Sequence, residues 1–396
     1  MIQWFTNRLH AGMKLGRPLY IHNGVYRILL LGQGSVLTET MIEKLSEAGY
    51  RFVYVEEEGC ENIVPEETLR GGLKESMLSS LVRFYEETRE RSVDFIPNES
   101  ETDPLYLELT GFDELREGVR EMIRILMNTR DEHFSYASTS EFPRAEFIHH
   151  HVLNVAVLAL ILGIAYGFEP KELESLGMGA LLHDLGKVFF PGITSKTFPE
   201  LAPEERSQWY RHSVLGWKLL AGETALTDIE RQIVIQHHER QDGTGFPSGL
   251  MGDHSKPTKK SRPMPGRIFR LAEIVSVADA FDNCVSGNPP GGPCSPEQAL
   301  DALSKDTGSR LNSHVVRSLL NLITLFPTGR LVRILRHRDK TVVGLLGVVS
   351  RSDTASSREI EVRLFRDQDD RPIPPRSVRI DVDSNLYFHY VEMANA

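Results

Sequence analysis

The chain has 396 residues, 40% of them hydrophobic and 25% charged, the composition of a globular protein with material for two or three domains. A net charge of −10 excludes the basic footprint of a generic nucleic-acid binder, yet it leaves room for a small anionic ligand held beside bound cations. Cys60, Cys284 and Cys294 have no paired spacing and read as free thiols in a reducing cytoplasm. The first residues lack a signal-peptide plan. The longest apolar run, Val152 to Ala165, is interrupted by Asn154 and is shorter than a membrane span.

Residues 1–60 read as a small α/β module. Leu19–Ile21 and Tyr26–Leu31 flank the hairpin dipeptide Asn23-Gly24, Met41, Ile42 and Leu45 give a helical stripe, and Tyr50–Val55 closes with a strand. Such a module can be a packing appendage, or it can sense or dimerise. Residues 61–144 are expected to link it to the rest. Helical periodicity over 66–94 and 112–130 is separated by a polar, proline-bounded stretch at 96–104.

From 145 to 326 helix is expected to follow helix. The segment 147–166 is apolar nearly all round and therefore interior. Its consecutive His149, His150 and His151 diverge by about 100° a step, so one of the three can share a face with Asn154 and Val155. A second apolar run ends in His183-Asp184-Leu-Gly-Lys187. Pro203-Glu-Glu opens the helix that carries His212. The capping box Thr227-x-x-Glu230 opens another, whose core stripe Ile229 and Ile233 runs into His237-His238. Asp242-Gly-Thr-Gly-Phe-Pro247 is a loop with glycines available for positive φ. Residues 252–265, with Lys256, Lys259, Lys260 and Arg262, form either an exposed loop or a mobile basic lid. The segment 266–286 brings in Asp279, and Ser295 caps one more helix. From 327 to 396 the period changes to two, as in Glu359–Leu364 and Ser377–Val382, which predicts a small β-domain.

Ionisable groups on apolar helices are costly unless paired or metal-bound. His151, His183, Asp184, His212, His237, His238 and Asp279 offer the imidazoles and carboxylates that suit first-row metals, and they are numerous enough for two ions.

In order, His151-x-x-Asn154, His183-Asp184-x-x-Lys187, His212-x-x-x-Gly216, His237-His238-Glu239-x-x-Asp242-Gly243-Thr244-Gly245-Phe246-Pro247 and Asp279-x-x-Asp282 resemble the HD-GYP family of HD-domain metal-dependent phosphohydrolases. The resemblance covers roughly residues 145–326. It implies a mainly α protein, an HD-type helical bundle flanked by the small N-terminal α/β module and the small C-terminal β-domain. It also implies hydrolysis of cyclic di-GMP to the linear dinucleotide or GMP, at a centre of two divalent ions, iron or manganese before others. Asp184 would bridge the ions. His151, His183 and Asp279 would complete one site, and His212, His237 and His238 the other. Lys187 would face the phosphate, and Gly245, Phe246 and Pro247 the ligand. The expected partners are a cyclic dinucleotide or related nucleotide, with no nucleic-acid polymer and no membrane insertion, and with a homodimer or regulatory protein as further partners.

Three departures from the family pattern keep other readings open, namely a phosphohydrolase of another nucleotide or a weakly active cyclic-dinucleotide-binding scaffold. The glutamate that helps hold a third metal in some members falls on Phe147, one step from Glu146, which favours two ions. The family's arginine segment after the last aspartate reads Gly287-Asn-Pro-Pro-Gly291. Phe246 stands where the family has tyrosine.

Overall fold

The computed structural model describes all residues except 24–25, 66–67, 70–71, 95–104, 129–133, 136–141, 195, 197–200, 260, 287–293, 295, 325, 336, 354–358, 382–387 and 391–396. The polar stretch at 96–104, Lys260, Ser295 and the Gly287–Gly291 segment thus lie outside the described residues.

The chain begins with β1 (Ile2–Phe5), β2 (Lys14–Leu15), β3 (Leu19–Asn23), β4 (Tyr26–Leu31), α1 (Glu39–Glu47) and β5 (Phe52–Glu56). Strands β1, β5 and β2 form one antiparallel sheet in that order, and β3 pairs with β4 as a hairpin in the register Asn23↔Tyr26. The helices follow: α2 (Leu73–Ser92), α3 (Phe112–Asn128), α4 (Phe147–Ala165), α5 (Pro170–Leu182), α6 (Pro203–Leu220), α7 (Asp228–Gln236), α8 (Arg270–Ser286), α9 (Pro296–Lys305) and α10 (Ser313–Leu322). A short parallel pair, β6 (Phe134–Ser135) with β7 (Ile323–Thr324), ties the two ends of the bundle together. The chain closes with β8 (Leu331–Ile334), β9 (Leu346–Asp353), β10 (Glu359–Arg366), β11 (Pro372–Asp381) and β12 (Phe388–Tyr390), in the sheet order β11-β10-β9-β8-β12. The protein is a helical bundle with small β regions.

Helix α4 is the axis of the bundle. It is buried from Phe147 to Gly163 except at Val157, packed between α5, α8, α10 and the α2–α3 pair. Of the described residues, only 144–165 form a helix long and apolar enough to cross a membrane, and 89% of its apolar window is buried inside the protein. Its hydrophobicity is spent on the core. Helix α7 starts as its capping box requires, with Thr227 N donating to Glu230 Oε2 at 2.9 Å. In β10, Ile360, Val362 and Leu364 are buried and Glu361 and Arg363 are not, the period of two read from the sequence.

The two ends of the chain share one core. Ile2, Leu15, Val53 and Val55 pack in the same apolar cluster as Leu331, Leu346, Val348 and Phe365. Beside it, the buried Arg330 Nη1 donates to Gln3 Oε1 at 3.0 Å.

Close approaches inside the bundle depend on missing side chains. A Cβ on Gly179 would lie 2.6 Å from Ile233 Cδ1, so the glycine lets α7 close on α5. After α5 a 3-10 turn at Leu185–Phe189 meets α6. There a Cβ on Gly186 would fall 1.9 Å from His212 O and 2.6 Å from Gly216 N. Backbone therefore touches backbone at the point where the His183-Asp184 segment meets the helix of His212. Gly186→Ala must push these elements apart and is expected to destabilise the fold by about 1–3 kcal/mol, as overpacking does. Denaturant unfolding checks this, and an unchanged midpoint would show that the contact is not tight.

Candidate metal centre

His183 and His237 are the residues that terminate α5 and α7. The last carbonyls of a helix lack intrahelical partners, and an imidazole at the end can satisfy one. His183 Nδ1 does this to Ala180 O at 2.7 Å, and His237 Nδ1 to Val234 O at 2.7 Å. On α6, His212 Nδ1 meets Trp209 O. On α4, His151 Nδ1 meets Asp282 Oδ2 at 2.6 Å. A carbonyl or carboxylate can only accept, so each of these four rings carries its proton on Nδ1 and turns Nε2 inward.

The inward atoms converge. Asp184, at the end of α5, is 1% exposed and points its two oxygens at different clusters. Oδ1 lies 3.2 Å from His212 Nε2, which is itself 3.2 Å from His237 Nε2 and 3.1 Å from His238 Nε2. Oδ2 lies 3.6 Å from both His151 Nε2 and His183 Nε2. Asp279 Oδ1, from α8, stands 3.1 Å from His151 Nε2 and 3.7 Å from His183 Nε2. Donor atoms bound to one ion at about 2.0–2.3 Å lie at separations of this order from one another. Among the described residues, His151 Nε2 and His183 Nε2 are buried with no hydrogen-bond partner. Orphaned nitrogens facing carboxylates in a dry pocket are what a cation would satisfy, so the residues fit divalent metal, in two donor groups that share Asp184.

All seven side chains singled out in the sequence meet at this point, and the neighbouring histidines do not. His149 packs edge-on against Tyr85 at 5.6 Å, and His150 stacks on Phe142 at 3.8 Å. Glu146 Oε2 lies 3.8 Å from His150 Nε2, on that other side of α4, while Phe147 stacks on His151 at 5.2 Å.

Two supporting residues stood in the sequence motifs without a role, Asp282 and Glu239. Asp282 fixes the His151 ring, and its Oδ1 accepts from Asn154 Nδ2 and Ser286 Oγ, each at 2.9 Å. Its signal was present, since a carboxylate three residues after Asp279 shares its helix face. Glu239, 2% exposed, accepts from Ser248 N at 2.7 Å and Leu250 N at 2.8 Å, which holds the 242–250 loop against the centre. In that loop Gly243 has φ 75°, as expected. Gly245 is needed for another reason: a Cβ there would meet Arg240 N at 2.4 Å and His238 O at 2.6 Å.

A cleft of 480 Å³ opens over the cluster, with His237, His238 and Asp279 in its floor. Phe246 stacks on His238 at 4.7 Å and meets Tyr210 edge-on at 4.9 Å, so these rings and Trp209 make an aromatic wall. Gly245 and Phe246 line the cleft, and Pro247 is not among its lining residues. Lys187, Lys196, Arg240 and Arg310 are its cations. Lys187 Nζ donates to Asp184 Oδ2, the oxygen that also faces His151 and His183. Arg310 lies between α9 and α10, where its carbonyl accepts from Gln241 N at 3.2 Å; no local pattern announces it.

The basic 252–265 segment is elsewhere, which corrects the lid reading. Lys256 Nζ sits 5.8 Å from the Tyr166 ring and Lys259 pairs with Glu169 at 3.3 Å. Tyr166 ends α4 about 22 Å along the helix from His151. Helix length carries that loop away from the cleft, and Lys256, Lys259 and Arg262 do not line it.

Burial dominates the protonation of the second cluster. It pulls His212 down to about 4, and with help from neighbouring imidazoles it drives His237 and His238 well below the ordinary histidine range. These three are neutral and ready to ligate at pH 7. For His151 burial also lowers the value, but Asp279 and Asp282 outweigh it and lift the ring to about 9. Burial would raise the Asp184 carboxyl. Lys187 first, then the imidazoles of His183, His212 and His151, hold it well below the usual carboxylate range. His151 is therefore protonated at pH 7 without an ion and must lose its Nε2 proton to bind one. Metal loading between pH 7 and 9 is expected to release about one proton and to tighten about tenfold per pH unit. Calorimetry of metal binding in buffers of different ionisation enthalpy measures this, and a pH-independent affinity would contradict it.

Comparison with known proteins agrees with this geometry. Residues 121–315 match the HD domain. The chain is 31% identical to the cyclic di-GMP phosphodiesterase response regulator RpfG of Xanthomonas campestris, over 39% of this chain and 38% of that protein. It is 30% identical to a cyclic di-GMP phosphodiesterase of Thermotoga maritima over 44% of each. It is 28% identical to the 3'3'-cGAMP-specific phosphodiesterase 2 of Vibrio cholerae, over 43% of this chain and 30% of that protein. The chain thus spans less than half the length of these relatives. The solved structure of Bd1817, an HDG"Y"P protein from Bdellovibrio bacteriovorus, aligns with a TM-score of 0.42 and 19% identity, covering 80% of this chain and 97% of that one. Its helical region, residues 121–315, is thus an HD domain, and over that region the chain is similar in sequence to these phosphodiesterases.

Proposed function

We propose that the protein is a cytoplasmic metal-dependent phosphodiesterase that hydrolyses cyclic di-GMP, to the linear dinucleotide or GMP, at a centre of two divalent ions, iron or manganese in first place. The observation that carries this reading is the buried Asp184, with one oxygen toward His212, His237 and His238 and the other toward His151 and His183. Glu146 is turned to His150 rather than into the cluster, which supports two ions rather than three. Relatives named for cyclic dinucleotide hydrolysis support the substrate class.

Two such ions supply an activated water and neutralise charge on the phosphoryl oxygens. The chain's own residues do the rest. Nδ1 contacts to backbone carbonyls and to Asp282 hold the imidazoles in one tautomer, so the centre is preorganised before substrate arrives. Lys187, held beside Asp184 and lining the cleft, places an ammonium where charge develops on the phosphoryl group. Trp209, Tyr210 and Phe246 offer faces for bases. Lys196 and Arg310 offer charge for the second phosphate of a cyclic dinucleotide.

A second reading, another cyclic dinucleotide as the preferred substrate, is favoured by the lack of a hydroxyl on Phe246 and by the likeness to a cGAMP-specific enzyme. Product identification with a panel of cyclic dinucleotides, on anaerobically purified and metal-analysed protein, separates the two. Linear or mononucleotide products from none of them would leave a binding role instead.

Asp184→Ala is expected to lose both ions together and all turnover, because one carboxylate serves both clusters. Full metal content in that variant would remove the bridge from the proposal. Lys187→Ala should keep the metal content and lower kcat by about 10²–10³, as the loss of one group aimed at the transition state does. Arg310→Ala should raise KM with little change in kcat, the form taken by lost uniform binding. Steady-state kinetics on the best substrate distinguishes these, and a kcat effect for Arg310 alone would reverse the assignment.

A further inference from the structure

A second cavity, of 330 Å³, lies where the β3–β4 hairpin, the first turn of α2 and the beginning of α4 meet. Three cations line it: Arg17, Arg27 and Lys74. Two carboxylates also line it: Glu75 lies 3.9 Å from Arg27, itself stacked on Tyr20, and Glu146 lies 3.8 Å from His150 Nε2. Lys74 makes no ion pair among the described residues, and it is the second residue of a 20-residue helix. The N-terminal turn of such a helix already presents unsatisfied N–H groups and the positive end of the macrodipole, so a cation there is unfavourable unless an anion is near. In a protein with a net charge of −10, three cations and a helix N-terminus outnumber two carboxylates around this hollow.

We propose that this cavity is a binding site for a small phosphate-bearing anion of the phosphomonoester class. Its phosphate takes the charge of Lys74, Arg17 and Arg27, as guanidinium and ammonium groups at a helix N-terminus do for phosphates generally. The occupant would join the N-terminal module to the bundle, because Arg17 and Arg27 belong to the first and Lys74 and His150 to the second. The floor of the cavity is the buried His150, one residue from His151 of the candidate metal centre.

The test is a calorimetric titration of the full chain with inorganic phosphate, before and after divalent metal is stripped with EDTA. Stripping removes phosphate bound at the metal centre, so the proposed site is the class that survives. That class should be displaced by GMP and weakened at least about tenfold by Lys74→Glu, with Lys74→Arg close to the unsubstituted chain. Lys74→Glu places a carboxylate where the helix end favours one, so the loss of binding should come with an unchanged or raised Tm. Absence of any EDTA-resistant class, failure of GMP to displace it, or equal affinity in Lys74→Glu would overturn the proposal.

Discussion

One carboxylate, that of Asp184, is ionised where almost no water reaches it, and the bundle is built to make that tolerable. An isolated buried charge costs many kcal/mol, so its surroundings must supply compensating positive charge or donors. Here they include imidazoles from α4, α5 and α6 and one ammonium from the turn three residues on. Bringing four elements this close requires backbones to touch, which is why glycines stand at the crossings: Gly179 under Ile233, and Gly186 against the His212 carbonyl and Gly216. The chemistry of the centre and the steric pattern of the bundle are one constraint seen from two sides.

That constraint also explains what could be read from the sequence. A lone histidine on an apolar helix reads as a satisfied core residue, so it was the recurrence of histidines and aspartates along α4, α5 and α8 that was informative. Helical period left room for one of the three consecutive histidines on the face of Asn154 and Val155, and the family resemblance made it His151. The β-strands of the tail were legible for the same reason, a local period of two. Residues that act through distant contacts were not. Arg310 reaches the cleft because its carbonyl accepts from Gln241 N and that of Ser309 from Asp242 N, bonds that no neighbouring residue encodes. The basic 252–265 segment stayed open between an exposed loop and a lid because its charge was visible and its location was not. Asp282 lay between these cases, its spacing from Asp279 legible and its bond to the His151 ring not.

The cleft shows how recognition can shift while a centre stays fixed. The ring of Phe246 lies flat on His238 and supports Tyr210, a neighbouring aromatic that does carry a hydroxyl. Its cations come from three separate places, the turn after α5, the loop after α7 and the α9–α10 connection. Groups recruited from separate loops can vary independently of the metal ligands, whose tautomers are locked by hydrogen bonds.

The shared core of the chain ends gives the fold an unusual order of assembly. The contact between Gln3 and Arg330 spans 327 residues, and the apolar faces of β1, β2 and β5 are covered partly by strands made after the bundle. Topologically the helical bundle is an insertion within a β unit rather than one bead on a string. During synthesis the first strands must wait, half-covered, until the whole bundle has left the ribosome. Contacts of this sequence separation slow folding, because a long loop has to close before they contribute. The bundle, rich in local helical contacts, can form during that wait and hold the two halves of the β unit within reach of each other.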